Sequence, residues 1–436
     1  MPLERSMKPV LQVALDLMHL KRAVEIADDA VKGGADWIEV GTPLLKSEGA
    51  GAIRELKKRF PSKTLVADTK TMDVGGFEVE IAVKAGAQVV TVMSLADEGT
   101  ISEAVLTAKR YGAQIMIDLM NEHDLVEAAV RAQRLGADYV CLHVGIDEQM
   151  RGLTSASKNV KKVVCVVSVP VAVAGGINAA IARKMVEAGA SVVIVGGAII
   201  KAKDVTAAAR TVKRSMGGAK VKEELTRKYC EDDLLKAFSS VSSPNMADAQ
   251  HKRGVMVGIV PRIVHGTKMV GRALTVQTSN GDWAKPVEAI DRAQKGDVIV
   301  IDVGGGNIAV WGELASWSAR TKGVNGVVID GAARDIDSIL EMRFPCFSRH
   351  AVPHAGEPKG YGGIGHEITC GGQTVRTGDW IIGDESGIVV VPQESAVEVA
   401  NRAVDVMERE NRVREEIKHG GTLSGLQELE KWEQVR

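Results

Sequence analysis

The chain has 436 residues, too many for one ordinary hydrophobic core, so two domains are expected. A formal net charge of −1 and only 3% aromatic residues give no electrostatic or stacking basis for binding nucleic acid, and the charge gives none for an anionic membrane. Five scattered cysteines without a CxxC pair argue against a disulfide framework or a structural zinc site, and for a reducing, cytoplasmic setting.

In chain order, Met1 to Lys8 carries Pro2, Glu4 and Arg5 and does not read as a secretory leader. An apolar strand follows at residues 10–15. From there a Gly-Ala-x-apolar-apolar signature recurs at Gly34, Gly86, Gly112, Gly136 and Gly189, at spacings of roughly 26 residues or twice that. Each copy reads as an amphipathic helix, a glycine near its end and a β-rich strand. Residues 64–67 and 169–174 supply the two strands whose copies lack the signature. Eight strands alternating with eight helices over about 215 residues indicate an α/β chain that begins with a (β/α)8 TIM barrel, a doubly wound open sheet being the alternative. The longest apolar run, residues 163–174, contains Ser168 and Pro170 and falls short of the roughly 20 residues of a membrane span.

In such a barrel the chemistry belongs at the C-terminal ends of the strands, where this chain places Asp16, Glu39, Asp68 with Lys70, Asp118 and His143. Asp68, Lys70 and Asp73 are the densest charges. Buried and unpaired they would be costly, so they fit a site where a divalent cation and an anionic substrate complete the balance; a solvated turn is the plain alternative. The seventh and eighth strands end in Gly175-Gly176 and Gly196-Gly197, where backbone N–H groups can approach a phosphate.

Residues 201–214 read as the helix that closes the barrel, and residues 215–220 break the pattern as a linker. Residues 221–250 are helical again, with a break at 239–244. From Gly254 the pattern turns to short strands with Gly-rich turns, at 273–278, 297–302, 326–329 and 387–391, then a charged helix at 394–418 whose mixed signs suit a solvated face. The domain limits expected are 1–215, a linker at 216–234, and a separate α/β domain at 235–436. In that domain Gly312 permits close backbone approach. Glu313 and Asp335 suit one shared metal, and Arg334 suits a carboxylate substrate, although neighbouring Arg-Asp residues also make surface ion pairs.

The Asp-x-Lys-x-x-Asp motif of Asp68, Lys70 and Asp73 resembles that of the orotidine-monophosphate-decarboxylase superfamily. Residues 11–17, 39–44, 67–73, 142–149 and 173–177 resemble its 3-hexulose-6-phosphate synthase branch, over residues 8 to 215 and in the same order. The resemblance implies a reversible, Mg²⁺-dependent (or Mn²⁺-dependent) aldol condensation of formaldehyde with ribulose 5-phosphate. It further implies that Glu39 and Asp68 hold the cation, that Lys70 stabilises the developing oxyanion, and that His143 carries the proton at C1. Asp16 and Asp73 would position Lys70 and the sugar hydroxyls, and Gly175, Gly176, Gly196 and Gly197 would take the phosphate. In this superfamily the second Asp of the motif reaches the neighbouring subunit's site, which implies a dimer. Asp118 reads as a wall of the site. A structural ion pair at Glu39 and a hydrogen-bonded core histidine at His143 stay open. 3-Keto-L-gulonate-6-phosphate decarboxylase, which shares barrel, metal and enediolate, is the alternative reaction.

Residues 305–335, 377–379 and 383–387 resemble the family of 4-hydroxy-4-methyl-2-oxoglutarate aldolases and regulators of ribonuclease E activity. That resemblance implies pyruvate and Mg²⁺ at Arg334 and Asp335, water activation by Glu313 where Asp is more usual, and substrate binding at Gly312 and Leu314 alongside Arg334. It also implies trimer-type contacts, so a homo-oligomer is expected. A non-catalytic interaction module is the competing reading.

Overall fold

The structure, a computed structural model, describes residues 8–151, 156–219, 229–418, 420–427 and 429. The chain divides into two units, Met1–Gln149 with Leu153–Lys228 and Arg412–Arg436, and Met150–Gly152 with Tyr229–Asn411.

The first unit holds eight parallel strands: β1 (Val10–Leu15), β2 (Trp37–Val40), β3 (Thr64–Thr71), β4 (Val89–Met93), β5 (Gln114–Asp118), β6 (Tyr139–His143), β7 (Val171–Ala174) and β8 (Val192–Val195). Each pairs with the next, and β1 also pairs with β8, so the barrel is closed. The repeated signature has a conformational cause. Gly34, Gly86, Gly112, Gly136 and Gly189 all take positive φ, from +72° to +116°, where the chain leaves a helix and turns into the next strand. An L side chain is strained there, so glycine recurs at each copy. Helix starts are fixed as locally: Asp97, Asp124, Asn178 and Asp204 each accept a first-turn N–H on the side chain. The strands are buried on both faces, by the helices outside and by a smaller cluster of Ala14, Val66, Val89, Met116, Cys141 and Ile194 inside.

The closing helix is Val205–Met216, begun by Asp204 rather than at Lys201. It runs into the stretch expected to be linker because the Ser215 hydroxyl bonds to the Ala179 carbonyl and Met216 is buried. Of the helical stretch expected at 221–250, residues 221–228 lie outside the described residues. Two helices follow, Leu234–Ser240 and Ser243–Ala249, separated where Ser242 and Asn245 form a capping box ahead of Pro244.

The second unit is built on β9 (Val260–Arg262), β10 (Met269–Gln277), β11 (Val298–Asp302), β12 (Ala309–Trp311), β13 (Gly326–Ala333), β14 (Cys346–Ala351), β15 (Gly363–Ile364), β16 (Ile368–Cys370), β17 (Gln373–Val375), β18 (Trp380–Asp384) and β19 (Gly387–Val391). The main sheet runs β19-β18-β10-β11-β13-β14-β9, with β12 on β13 and β15 on β10. Its centre, β10, β11, β13 and β14, is parallel, and antiparallel strands close both edges. Alternate residues of β11 enter cores on opposite faces, Ile299 and Ile301 on one and Val298 and Val300 on the other, which is why Val298–Asp302 reads as an unbroken apolar run up to its last residue. The final long helix is Ala396–Lys418. No helix among the described residues is long and apolar enough to cross a membrane.

Candidate functional site

Alternation along the barrel strands decides which side chains meet. Leu11, Val13 and Leu15 pack outward against the helices, so Gln12 and Ala14 take the inward phase. The same phase puts Glu39 of β2, Asp68 of β3, Thr91 of β4, Asp118 of β5 and His143 of β6 in the barrel mouth, opposite the outward Ile38, Ala67, Val90, Ile117 and Leu142.

Lys70 is the centre of the group. Its Nζ lies 3.1 Å from Asp68 Oδ1 and 3.0 Å from Oδ2, and 3.3 Å from Asp118 Oδ2. His143 Nδ1 lies 2.8 Å from the same Asp118 oxygen, and the Met120 N–H donates to Asp118 Oδ1 at 3.0 Å. Burial alone would depress the Lys70 ammonium, but Asp68 and Asp118 outweigh it and hold its pKa above the usual lysine range. Burial would likewise raise Asp118, yet the charge and hydrogen bond of His143, with Lys70 behind them, keep it below the usual carboxylate range. Asp118 is therefore a charged bridge between Lys70 and His143 rather than a wall of the site.

Glu39 is 6% exposed and receives the Gln12 amide at 2.5 Å. Burial, then Asp68 and Asp16, push its carboxyl well above the ordinary range. Asp16 is open to solvent on one side, and crowding by protein followed by Asp68 raises it too. Gly41 makes room for it: a Cβ there would stand 2.3 Å from Asp16 Oδ1. This oxygen donor set is short of positive charge and suits a hard dication. Among the described residues no three His, Cys, Asp or Glu side chains are arranged to hold a metal by themselves, so such an ion would complete its shell with water or substrate oxygens. Cys141 shares the lumen, but burial, then Asp118 and Glu39, push its thiol far up, which leaves it no nucleophile.

Asp73 does not join this group. It is exposed, its Oδ1 accepts the N–H of Val74 at 2.7 Å, and Lys70 is positioned by Asp68 and Asp118 instead. Around it stand the exposed side chains of Met72, Val74 and Phe77, the last 67% exposed. Gly175 and Gly176 follow β7 with φ of +97° and +64°, and Gly196 and Gly197 open the short helix after β8. Two hydroxyls escaped sequence reasoning. Thr42 Oγ1 lies 2.8 Å from Asp68 Oδ2, and Thr91 Oγ1 lies 2.8 Å from Asp68 Oδ1. Threonine is ordinary in strands and first turns, so nothing in the sequence marked them.

In the second unit, the ends of β12 and β13 bring the expected residues together. Asp335 Oδ2 accepts the Glu313 N–H at 3.2 Å and lies 3.4 Å from Arg334 Nε. A Cβ on Gly312 would stand 2.6 Å from that oxygen, so glycine is required for the approach. Leu314, the next residue after Glu313, is 79% exposed. A second charged pair went unforeseen: buried Asp330 accepts Arg349 Nε at 2.6 Å and the Gly371 N–H at 2.7 Å, partners 19 and 41 residues away along the chain.

Residues 9–212 match the profile described as orotidine 5'-phosphate decarboxylase / HUMPS family, and residues 240–390 match one described as Aldolase/RraA. A 3-hexulose-6-phosphate synthase of Mycobacterium gastri is 39% identical over 212 residues, which cover 47% of this chain and 99% of the relative. One of Bacillus subtilis is 36% identical over 204 residues, 47% of this chain and 97% of the relative. A crystal structure of a 3-hexulose-6-phosphate synthase aligns at 39% identity over 47% of this chain and 99% of its own, with a TM-score of 0.45. With near-complete relatives above 30% identity, the chain belongs through its first half to the orotidine 5'-phosphate decarboxylase / HUMPS family, and it carries an Aldolase/RraA-type domain in its second.

Proposed function

We propose that the barrel is a divalent-cation-dependent 3-hexulose-6-phosphate synthase, which joins formaldehyde to C1 of ribulose 5-phosphate and can run in reverse. The observation that carries this reading is the continuous chain Asp68–Lys70–Asp118–His143 in the barrel mouth. The synthase names of relatives that the chain spans almost end to end support it.

Condensation needs a proton taken from C1 of the ketose, stabilisation of the resulting enediolate, and a proton returned to the new alcohol. Assigned from its bond to Asp118, the Nδ1 of His143 is the donor, so a neutral ring presents an unprotonated Nε2, the form that can accept the C1 proton. Asp118 favours the imidazolium once that proton has moved. Lys70, kept charged by Asp68 and Asp118, supplies a fixed ammonium where negative charge develops. Glu39 and Asp68 would hold Mg²⁺ or Mn²⁺, which would supply further positive charge to the enediolate oxygens. Asp16 would bind sugar hydroxyls, and the backbone at Gly175, Gly176, Gly196 and Gly197 the phosphate. The exposed Asp73, with Met72, Val74 and Phe77 about it, suits contact with a second barrel whose site it completes.

For the second unit we propose a metal-assisted cleavage or decarboxylation of a pyruvate-type acid, with Arg334 on the carboxylate and Asp335 on the cation. The test of the barrel reading is formaldehyde consumption with ribulose 5-phosphate, in Mg²⁺ and then in excess EDTA. Consumption that requires both sugar phosphate and cation, and that Asp68→Ala abolishes, is expected. Its absence from folded, cation-loaded protein would overturn the synthase assignment in favour of 3-keto-L-gulonate-6-phosphate decarboxylation.

A further inference from the structure

Asp68 and Lys70 do not lie on a regular strand. β3 and β4 pair in register as far as Ala67 with Val90, and pairing resumes at Thr71 with Val92. Three residues of β3, Asp68, Thr69 and Lys70, are thus set against one residue of β4, Thr91. This is a bulge, and bulges re-aim side chains beside active sites. Inside it Lys70 has φ of +48°, a left-handed conformation that a non-glycine residue keeps only when its surroundings enforce it.

Thr91 touches every member of the bulge. Its carbonyl accepts the Thr69 hydroxyl at 2.7 Å, its Oγ1 accepts the Lys70 N–H at 3.2 Å, and the same Oγ1 lies 2.8 Å from Asp68 Oδ1. The direction of the last bond is not open. The Lys70 N–H donates to one lone pair of the hydroxyl, and the Asp68 carboxylate oxygen accepts, so the hydroxyl's single proton goes to Asp68. Thr42 is less committed, because its Oγ1 lies 2.8 Å from both Asp68 Oδ2 and the Asp68 carbonyl. Thr91 is 5% exposed, so its hydroxyl bonds are shielded from solvent.

We propose that Thr91 is a positioning residue for the barrel's chemistry, fixing the Asp68 carboxylate and the Lys70 backbone together. With one lone pair of Oδ1 held by Thr91 and one of Oδ2 engaged by Thr42, the carboxylate turns its remaining side toward Lys70, whose Nζ contacts both oxygens. A cation that shares Asp68 meets it in that one orientation. The proposal rests on the functional reading above, since it concerns the same aspartate and lysine.

The test uses the full chain and three variants: Thr91→Val, which keeps shape and loses the hydroxyl, Thr91→Ala as a second hydroxyl-free form, and Thr91→Ser, which restores it. Mn²⁺ affinity is measured by electron paramagnetic resonance without substrate, alongside kcat, KM and the thermal midpoint. Loss of one hydrogen bond to a charged group predicts that Mn²⁺ affinity and kcat each fall roughly tenfold or more in Val and Ala, while KM for ribulose 5-phosphate stays within about threefold and Ser recovers both losses. Wild-type Mn²⁺ affinity and kcat in either hydroxyl-free variant would overturn the proposal, as would a Ser variant no better than Val. Asp68→Ala separates the two claims. If it is inactive while Thr91→Val is fully active, only the role of Thr91 falls. If Asp68→Ala is itself fully active, the functional reading falls as well.

Discussion

Asp118→Asn is the substitution that most directly probes the charge chain in the barrel. Asp118 is 4% exposed at its side chain, and its Oδ2 serves two donors, His143 Nδ1 at 2.8 Å and Lys70 Nζ at 3.3 Å, while Oδ1 serves the Met120 N–H. An asparagine of the same shape has one acceptor and one donor end. With its oxygen toward Met120, its NH₂ faces an imidazole N–H and an ammonium; flipped, the NH₂ faces a backbone N–H. Neither orientation satisfies all three partners. A hydrogen bond to a charged group contributes ~2 kcal/mol, equivalent to about 30-fold in rate, and two such bonds are weakened here. Non-additivity within one network brings the expected loss in kcat to roughly 10²–10³-fold. Stability should fall as well, because His143 and Lys70 hold the Asp118 carboxylate below its usual range and their buried donors lose its charge. The assay is deuterium exchange at C1 of ribulose 5-phosphate in D₂O without formaldehyde, read by NMR, which isolates proton removal from condensation. Exchange within threefold of wild type would show that His143 needs no orienting carboxylate and would sink the proposed relay.

Gly41→Ala should cost activity roughly 10²-fold by displacing Asp16, since its Cβ would stand 2.3 Å from Oδ1 and 2.9 Å from the Leu15 carbonyl, whereas Gly51→Ala, with nothing within 4 Å, should be active and no less stable; equal activity in the two refutes the placement of Asp16. Glu39 has its folded pKa raised by burial, Asp68 and Asp16, so the folded barrel holds a proton that the unfolded chain has released, and stability is lost as pH rises from the ordinary carboxylate range through the raised value. Thermal midpoints measured in EDTA should therefore fall with pH more steeply for wild type than for Glu39→Gln; parallel profiles would remove the strain assigned to Glu39. In the second unit Asp335 sits at φ of +58°, which asparagine tolerates better than alanine. Asp335→Asn should abolish any cation-dependent release of pyruvate with the fold kept, and Asp335→Ala should unfold at a midpoint lower by about 1 kcal/mol of stability; pyruvate release that survives in Asp335→Asn refutes the metal role.

The barrel was legible because its periodic signal is conformational. Each Gly-Ala copy marks a place where the backbone needs positive φ, and that requirement is written in residue type. Strand-end charges were legible for a similar reason, since Asp68, Lys70, Asp118 and His143 have few other uses in apolar surroundings. Their pairing was not. Asp118 lies 48 residues from Lys70 and 25 from His143, and only closure of the barrel shows that it bridges them. Asp73 looked like part of the same cluster because it is three residues from Lys70, but the bulge and the left-handed Val74, at φ of +45°, carry it out to the surface. In the second unit Gly312 and Asp335 stood out in two local motifs, but their close approach appears only once β12 and β13 are paired. The Asp330–Arg349 pair was not legible, because β13 and β14 must first be aligned.

The two units use one device at their charged strand ends. β3 loses register against β4 just where Asp68 and Lys70 project, and β13 loses register against β14 between Ile329 and Ala332, ahead of Arg334 and Asp335. In each, a charged non-glycine residue then takes positive φ, Lys70 at +48° and Asp335 at +58°. Left-handed backbone costs roughly 1–2 kcal/mol for an ordinary L residue, so it survives only where other contacts exceed that cost. For Lys70 the surplus is visible: two carboxylates on the ammonium and the Thr91 hydroxyl on the backbone N–H. Asp335 has the Glu313 N–H and Arg334 at longer range, and it is 40% exposed. The strain at Lys70 is thus held by the folded barrel itself, while that at Asp335 is held by less.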